Sequence, residues 1–287
     1  MISVLIVNWN TRDLLRACLA SLAQIEGEHE IIVVDNASQD DSAAMVAREF
    51  PAIKTLSFAH NLGFAEGNNR AYAAARGDWI WLLNPDTEVL GGAAQTLLDF
   101  LQSNPGVGAV ASALIDARDS SVQRSCRTFP TPAALWAQAT GLAALFPRSK
   151  RFGFYKMGWW NYRDARAVDQ PMASSLMLRR AAIEQSGGLF DPDFPIFFND
   201  VDLCWRLWRA GWEIWFEPRA RVRHWGGAAT RLVKPQMIAQ SHRSLRQFYL
   251  KHYRGEVMAP LFWATLAMSE LAGRARVWRA QKRPPEK

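Results

Sequence analysis

The stretch Trp79-Ile80-Trp81-Leu82-Leu83-Asn84-Pro85-Asp86-Thr87-Glu88 decides the fold, because an apolar run ends there at a proline turn that carries acids. The run Trp79–Leu83 has the length and composition of a strand buried on both faces. In open parallel sheets, ligands bind outside the carboxyl ends of the strands, so Asp86 would be well placed to hold a metal or a phosphate. An ordinary surface turn would explain the same residues, and only the patterns in the rest of the chain can distinguish a ligand site from a simple turn.

Strand and helix patterns alternate through the first third of the chain. Apolar residues at helical spacing follow the first strand, and Asn10 is the expected cap of that helix. A capping-box-like pattern of Ser38 and Asp41 is expected to start the second helix. A third helical segment is expected to end at Gly77, and a fourth helix is expected over Ala93–Ser103. The alternation predicts an α/β fold with a parallel sheet covered on both faces. The predicted strands are Ile2–Val7, Glu30–Asp35, Ile53–Phe58, Trp79–Leu83 and Val107–Ser112.

Length and composition predict one large domain with an appendage. The chain has 287 residues, of which 49% are hydrophobic, and this is enough to bury a full core. We expect a main domain over residues 1–230 and a helical extension with a basic tail over 231–287. Three cysteines lie far apart, so neither a disulfide framework nor a metal knuckle is indicated, and the reducing cytoplasm fits best. The first strand begins within two residues, which leaves no room for a secretion signal ahead of it.

The net charge of +7 is concentrated in two basic clusters, Arg118–Arg166 and Arg274–Arg283. Solvated faces are the simplest explanation. No helix-turn-helix, zinc spacing or aromatic strand motif accompanies them, so nucleic acid is not an expected partner. The apolar residues 257–269 precede the second cluster and are too few to span a bilayer. They indicate either an interfacial helix at an anionic membrane surface or an end helix packed on the domain.

A second acidic constellation occupies Phe190–Leu207, where acids emerge from aromatic and apolar surroundings. Such surroundings can desolvate a carboxylate and raise its basicity, as a general base requires. A helix is predicted to run to about Arg209, with Asp200 and Asp202 at its N-terminus. One acid there can instead be a cap that balances the helix dipole. We assign the role of general base to Asp200 and the role of helix cap to Asp202 or Asn199.

Two further features belong to the second half of the chain. His224 follows the predicted strand Glu213–Phe216, and with an acid at a strand end it could complete the coordination of a divalent metal. A packed or exposed histidine is the alternative. The long segment from Ser120 to Asp169 is rich in aromatic and basic residues and has little periodicity. A loop of this length and composition is typically ordered and functional. We assign it to the acceptor side, with Trp159 and Trp160 at its centre and Asp202 as a further candidate.

Taken together and in order, these motifs resemble the inverting family 2 glycosyltransferases of the GT-A fold, in particular the rhamnosyltransferase-like branch. The resemblance covers about Ile2–Gly227. It implies a Rossmann-like, mostly parallel central sheet flanked by helices, with a C-terminal helical extension. It also implies a nucleotide-sugar half over about 1–115 and an acceptor half over about 116–230. The matching segments are Val4–Asn10, Val33–Asp40, Asn61–Asn69, Leu83–Thr87 and Phe197–Arg206, followed by His224.

The resemblance implies a nucleotide-sugar site at the strand ends. Val7 and Asn10 would border the base, and Asp35 would accept a hydrogen bond from the imide of a pyrimidine. Asp86 resembles the last acid of the family's Asp-any-Asp metal motif, whereas Asn84 replaces the first and adds no charge. The remaining implied contacts are Asn61 and Gly63 in a flexible turn and Asn68 and Asn69 on the following helix.

The resemblance also implies a mechanism and partners. Asp86 and His224 would hold Mg²⁺ or Mn²⁺ at the diphosphate, and Asp200 would deprotonate the acceptor hydroxyl during a single inverting displacement. The implied donor is dTDP-L-rhamnose, with UDP-hexoses as the alternative. The implied acceptor is a cell-surface glycan or a lipid-linked sugar, met in the cytoplasm at the inner face of the membrane.

Two other functional classes account for part of the sequence. A non-catalytic nucleotide-sugar-binding module would share the fold, but the joint retention of Asp86, Asp200 and His224 argues against it. A Rossmann dehydrogenase would need a Gly-x-Gly-x-x-Gly turn after the first strand. The chain instead has Asn8-Trp9-Asn10-Thr11, which contains no glycine.

Overall fold

The computed structural model describes residues 1–226, 234–253, 263, 264, 266–268 and 271. The strands are β1 (Ile2–Asn8), β2 (His29–Asp35), β3 (Lys54–Ser57), β4 (Trp79–Leu83), β5 (Thr87–Val89), β6 (Val107–Asp116), β7 (Cys126–Arg127), β8 (Arg166–Ala167), β9 (Gln170–Pro171), β10 (Ser175–Arg179) and β11 (Glu213–His224). The helices are α1 (Arg12–Leu22), α2 (Ser42–Glu49), α3 (Phe64–Ala74), α4 (Ala93–Ser103), α5 (Pro132–Ala139), α6 (Leu142–Leu145), α7 (Arg180–Gln185), α8 (Asn199–Arg209) and α9 (Lys234–His252).

One large sheet has the strand order β3-β2-β1-β4-β10-β6-β11-β5, and β8 pairs with β11. Strands β3, β2, β1 and β4 are parallel. Strand β10 lies antiparallel between β4 and β6, and β11 runs parallel to β6. The sheet is therefore mostly parallel, as the resemblance implies, but the strand pattern's expectation of a parallel sheet is wrong at β10, β5 and β8. The five residues of β10 pass directly into α7, so no turn residues mark this strand in the sequence.

The carboxyl ends of β1, β2, β4, β6 and β11 lie at the same edge of the sheet, because these strands all run in one direction. Asn8 is paired with Asp35 in the register of β1 and β2. On the other side of the sheet, His224 at the end of β11 is paired with Asp116 of β6. Polar residues from distant parts of the chain therefore meet at one edge.

Helices cover both faces of the sheet, as predicted. Alternate residues of β1, Val4 and Ile6, belong to a core that also contains apolar residues of α1 and α4. Helix α3 packs on β1 and β2, and Gly67 makes the close approach possible. A Cβ atom at Gly67 would lie 2.9 Å from Cγ1 of Val7, so any larger residue would push α3 away from the sheet.

The predicted starts of α1 and α2 are wrong, because Asp40 bonds to the first backbone amide of each helix; it is 28 residues from Arg12 of α1 and two residues before Ser42 of α2. Asn10 has a φ of 52° and precedes the N-cap position, and its Oδ1 accepts a hydrogen bond from Gln39 N at 2.7 Å. Asp40 accepts from Arg12 N at 2.8 Å and also from the Ser42 backbone. One carboxylate therefore satisfies amide groups at the starts of both helices.

The chain divides into two compact units. The first comprises residues 1–126, 162–195 and 199–229, and the second comprises 127–161, 196–198 and 230–287. The second unit has an aromatic cluster on α9, where Phe248 and Tyr249 are buried and the Tyr249 hydroxyl donates to the Pro130 carbonyl. The boundary predicted at residue 230 stays a prediction.

Within the described part of the chain, no helix is long and apolar enough to cross a membrane. Most of the apolar stretch 257–269 and all of the basic residues 274–283 lie outside the described residues. The interfacial role expected for them stays a prediction.

Candidate active site

Asp86 and His224 lie side by side although they are far apart in the sequence. Strand β5 begins immediately after Asp86 and pairs antiparallel with β11, so that Thr87 is opposite His224. The Oδ1 atom of Asp86 is 3.5 Å from Nε2 of His224, and both side chains are buried. The backbone N–H of Trp225 donates to the Asp86 carbonyl at 3.0 Å, which ties the two segments together. The structure thus brings together the two residues predicted to hold a metal.

Two buried polar side-chain atoms in this region make no hydrogen bond within the described part of the chain. Neither Nε2 of His224 nor Oδ1 of Asn84 has a hydrogen-bond partner among the described residues. The other end of the Asn84 amide donates to Ser174 Oγ at 3.1 Å, which leaves Oδ1 as the unsatisfied atom. A buried polar atom without a partner costs about 1–3 kcal/mol, so both atoms are suited to a ligand.

These donors fit the divalent cation that the resemblance implies. A carboxylate, an imidazole nitrogen and an amide oxygen suit Mn²⁺, and the oxygens suit Mg²⁺. No group of three or more Asp, Glu, His or Cys side chains that could hold a metal is found in the part of the chain that the structure describes. Asp86 and His224 would therefore hold a cation together with phosphate oxygens or water, as is usual at nucleotide sites.

At the ends of β1 and β2, Asp35 is 5% exposed and held by local hydrogen bonds. Its carboxylate accepts from Asn8 Nδ2 at 3.3 Å and from Ser38 N at 3.2 Å. A carboxylate has about four acceptor positions, so these two bonds leave capacity for a third donor. The position and remaining capacity of Asp35 are compatible with the predicted contact to a pyrimidine.

The loop that contains Asn61 and Gly63 is fixed by Asn36, which the sequence reasoning missed. The buried Asn36 amide donates to Asn61 Oδ1 at 2.8 Å and to the Gly63 carbonyl at 3.1 Å, and its oxygen accepts from Leu62 N at 2.8 Å. Gly63 has a φ of +83°, which favours glycine. The Asp35-Asn36 pair at the end of β2 was the available signal, but it could not show that Asn36 reaches a loop 25 residues away.

Asn68 and Asn69 were expected to face the cleft, but the structure engages both amides with backbone groups. Asn68 is buried and donates to the Phe64 carbonyl at 2.9 Å. Asn69 makes two hydrogen bonds with the backbone of Phe190, donating at 2.8 Å and accepting at 3.0 Å. Asn69 therefore holds α3 against the segment that follows α7, and the nucleotide contacts of both residues stay a prediction.

Asp200 lies in the first turn of α8, as predicted, and is half-buried. One carboxylate oxygen accepts from Val201 N at 2.9 Å. Five residues earlier, the Pro195 carbonyl accepts from Ala65 N at 3.0 Å, which ties the segment before α8 to the start of α3. The start of a helix is a favourable place for a carboxylate, because the helix dipole puts partial positive charge there.

Asp202, two residues further along α8, is fully buried and has a different role. Its Oδ2 is 2.7 Å from Nε of Arg206. The Arg206 guanidinium in turn donates to the carbonyls of Ser186, Gly188 and Leu189. Asp202 thus holds the arginine that anchors the loop after α7, and this structural role differs from the acceptor contact expected for it.

Trp159 and Trp160 belong to the second unit. Trp160 is 3% exposed, so its ring is part of the packing there. Trp159 is half-buried, and Lys150 Nζ lies 5.2 Å from the centroid of its ring. The acceptor contact predicted for these two tryptophans stays a prediction. Packing is a sufficient explanation for the position of Trp160.

Comparison with known proteins supports the fold and the family. Residues 3–165 match Glycosyl transferase family 2. An N-acetylglucosaminyl-diphospho-decaprenol L-rhamnosyltransferase of Mycobacterium tuberculosis is 29% identical over 99% of this chain and 96% of its own length.

Two solved structures share the fold. A mannosyltransferase from Pyrobaculum calidifontis in complex with GDP-Man and Mn²⁺ has a TM-score of 0.60 and 18% identity over 97% of this chain and 75% of its own. GalNAc-T7 with UDP, GalNAc and Mn²⁺ has a TM-score of 0.63 and 15% identity over 96% of this chain and 51% of its own. The GT-A fold expected from the sequence is thereby confirmed. The matched residues 3–165 exceed half of the chain, and together with the full-length relative they show that this chain is a glycosyltransferase that belongs to family 2.

Proposed function

We propose that this glycosyltransferase moves L-rhamnose from dTDP-L-rhamnose to a lipid-linked or cell-surface glycan acceptor, with inversion at the anomeric carbon. The near full-length similarity to an L-rhamnosyltransferase supports the sugar. The position of Asp35 at the end of β2 supports a pyrimidine base. A UDP-hexose is the alternative donor, since GalNAc-T7, a solved structure of the same fold, contains UDP.

The pairing of Asp86 with His224 is the observation that carries the proposal. These residues, aided by Asn84 Oδ1, would hold Mg²⁺ or Mn²⁺, and Mn²⁺ is present in two solved structures that share the fold. A divalent cation at this position supplies positive charge to the diphosphate and makes it a better leaving group. The residues themselves orient the donor at the carboxyl edge of the sheet, where ligands of open α/β sheets bind.

Asp200 is the proposed general base. Its carboxylate takes the proton of the acceptor hydroxyl as that oxygen attacks the anomeric carbon from the face opposite the leaving diphosphate. The C–O bond to the acceptor forms while the C–O bond to the phosphate breaks, so no covalent enzyme intermediate is needed. The Oδ1 atom of Asn199 accepts from Asp200 N at 2.7 Å, which supports a role in shaping the start of α8 rather than in proton transfer.

We also propose that the acceptor is met at the anionic inner face of the cell membrane. Between Ser120 and Arg163 the chain has seven Arg and Lys residues and no Asp or Glu, so this segment alone carries a charge of +7. Within it, Trp136, Leu145 and Phe146 are exposed by 41%, 72% and 52%. Exposed aromatic and aliphatic side chains beside basic residues suit an anionic lipid interface.

A panel of nucleotide sugars, assayed with and without EDTA, tests the function. We expect transfer or slow hydrolysis of dTDP-L-rhamnose that EDTA abolishes and added Mn²⁺ restores. Turnover of a UDP-hexose in its place would select the alternative donor. If nucleotide binds but no sugar of the panel is transferred or hydrolysed under any metal condition, the chain is a binding module and the catalytic proposal fails.

A further inference from the structure

Gln123 lies next to the Asp86–His224 pair and has no role in the function proposed so far. It follows β6, where its backbone N–H donates to the Leu114 carbonyl at 2.8 Å. The Oε1 atom of its side chain is 2.7 Å from Nδ1 of His224. The side-chain nitrogen Nε2 donates to the His224 carbonyl at 3.0 Å and to Asp116 Oδ2 at 3.2 Å. Both the oxygen and the nitrogen of the Gln123 side-chain amide therefore make hydrogen bonds.

The chemistry of these partners fixes the orientation of the Gln123 amide. A backbone carbonyl and an ionised carboxylate can only accept hydrogen bonds, so the group that faces them has to be the NH₂. The reversed amide would place its oxygen against two acceptors and lose both bonds. The amide oxygen therefore faces His224 Nδ1, and this orientation follows from the bonding partners.

Asp116 is itself held in its ionised form. Arg118 donates to its two carboxylate oxygens at 3.0 and 3.1 Å. These hydrogen bonds from Arg118 lower the pKa of Asp116 to about 2. The acceptor that orients Gln123 is therefore present at every pH at which the enzyme would work.

We infer that Gln123 is a positioning residue that holds His224 in the tautomer protonated at Nδ1, with the lone pair of Nε2 directed at Asp86. An amide oxygen can only accept, so the atom facing it across 2.7 Å has to carry the hydrogen. In a neutral imidazole the other nitrogen is then free to bind a metal ion. The buried Nε2 atom has no hydrogen-bond partner in the described residues, which is compatible with this tautomer. The metal ligation rests on the proposed function, whereas the tautomer does not.

The tautomer can be measured directly by NMR on the metal-free protein at neutral pH. The chain has five histidines, so the ring nitrogens are labelled with ¹⁵N and the His224 signals are assigned by their loss in His224→Asn. We expect Nδ1 of His224 to be protonated and Nε2 to be unprotonated. A His224 ring protonated at Nε2, or at both nitrogens as an ion pair with Asp86 would require, overturns the inference.

Two variants show whether Gln123 causes this state. Gln123→Met removes both ends of the amide, and Gln123→Asn keeps an amide but shortens it by one methylene. Both should move His224 to the Nε2-protonated form or to a mixture. Gln95→Met is the matched control, since Gln95 bonds only to the exposed Asp99 in the contacts described and should leave the His224 signals unchanged. An unchanged tautomer in both folded Gln123 variants overturns the inference.

Mn²⁺ binding links the inference to the proposed function. Titration calorimetry with MnCl₂ in the presence of UDP should show affinity weakened about 10- to 100-fold in both Gln123 variants, the usual effect of losing a partner that orients a metal ligand. Unchanged affinity in variants that do shift the tautomer overturns the metal-positioning role of Gln123. If the wild-type protein binds no Mn²⁺ through Asp86 and His224, the proposed metal site fails, and the NMR result still decides the tautomer.

Discussion

At the scale of single residues, two aspartates of one helix have different roles. Asp202 is fully buried against Arg206, whereas Asp200 is half-buried in the first turn of α8. Both are acids in the same aromatic surroundings, so the sequence could assign the helix and its acids but not the burial of each side chain. Burial favours the choice of Asp200 as the base, because a base has to reach the acceptor hydroxyl.

Replacement of the proposed base tests its role. Asp200→Asn should lower the rate of sugar transfer by about two to four orders of magnitude, the usual effect of losing a positioned base. Nucleoside diphosphate binding should be unchanged. Steady-state rates and calorimetry measure the two effects, and Asp193→Asn, an exposed acid of the preceding segment, should keep full activity. Near-normal turnover of Asp200→Asn would remove Asp200 from the mechanism.

Some of the other site residues could be predicted from the sequence, and others could not. Asp86 was predicted because it follows the apolar run Trp79–Leu83, and His224 because it follows the predicted strand Glu213–Phe216 and could share a metal with an acid at a strand end. Gln123 was not, because its partner His224 is 101 residues away and no local pattern marks it. Asn36 was missed for the same reason. Residues that support other residues through long-range hydrogen bonds carry no signal in a single sequence.

At the scale of elements, apolar runs bounded by turn residues were predicted well. The bounds of β4 and α4 agree with the sequence prediction, since Pro85 follows one and Asn104-Pro105-Gly106 the other. The start of α1 was wrong because Asp40, 28 residues away, supplies a hydrogen bond that a local cap usually makes. The start of α2 was wrong because Asp40, rather than Ser38, accepts from the first backbone amide of the helix. Local rules fail at α1, where a side chain from a loop distant in sequence competes with them.

Helix α3 depends on Gly67, and this dependence can be measured. Gly67→Ala should destabilise the fold by about 1–3 kcal/mol, because its Cβ would lie 2.9 Å from Val7 Cγ1. Urea unfolding gives the free energy. Adding Val7→Ala creates space and should make the double variant less destabilised than the sum of the two changes. Gly106→Ala is the control, as no heavy atom lies within 4 Å of its added Cβ. Simple additivity of Gly67→Ala and Val7→Ala would contradict this packing.

At the scale of the whole molecule, the distribution of charge is more informative than its sum. The acid-free segment 120–163 alone carries a charge of +7, and its exposed Trp136, Leu145 and Phe146 were not foreseen from the sequence. The sequence predicted a membrane contact for the apolar residues 257–269 and the basic tail, most of which the structure does not describe. Exposure is a property of the fold, so composition alone could locate the charge but not the apolar surface beside it.

Vesicle sedimentation tests the proposed membrane surface. The full chain should bind anionic vesicles at low salt and be released as salt rises. Changing Arg148, Lys150 and Arg151 to glutamine should weaken binding about 100-fold, since each basic residue near the surface adds up to about 1 kcal/mol. The same charge change at Arg16, Arg48 and Arg70 should have little effect. Truncation after Gly255 should separately show the contribution of the tail.

Absence of sedimentation at low salt would remove the membrane from the proposal. Equal weakening by the two triple variants would show a non-specific charge effect and would remove segment 120–163 as the docking surface.

Calorimetric titration of dTDP in the presence and absence of Mn²⁺ tests the proposed cation site most directly. We expect Mn²⁺ to strengthen dTDP binding by the wild-type protein, Asp86→Ala to abolish this dependence, and His224→Ala to weaken it. Metal dependence that is unchanged in both variants would contradict the assignment of Asp86 and His224 as the residues that hold the cation.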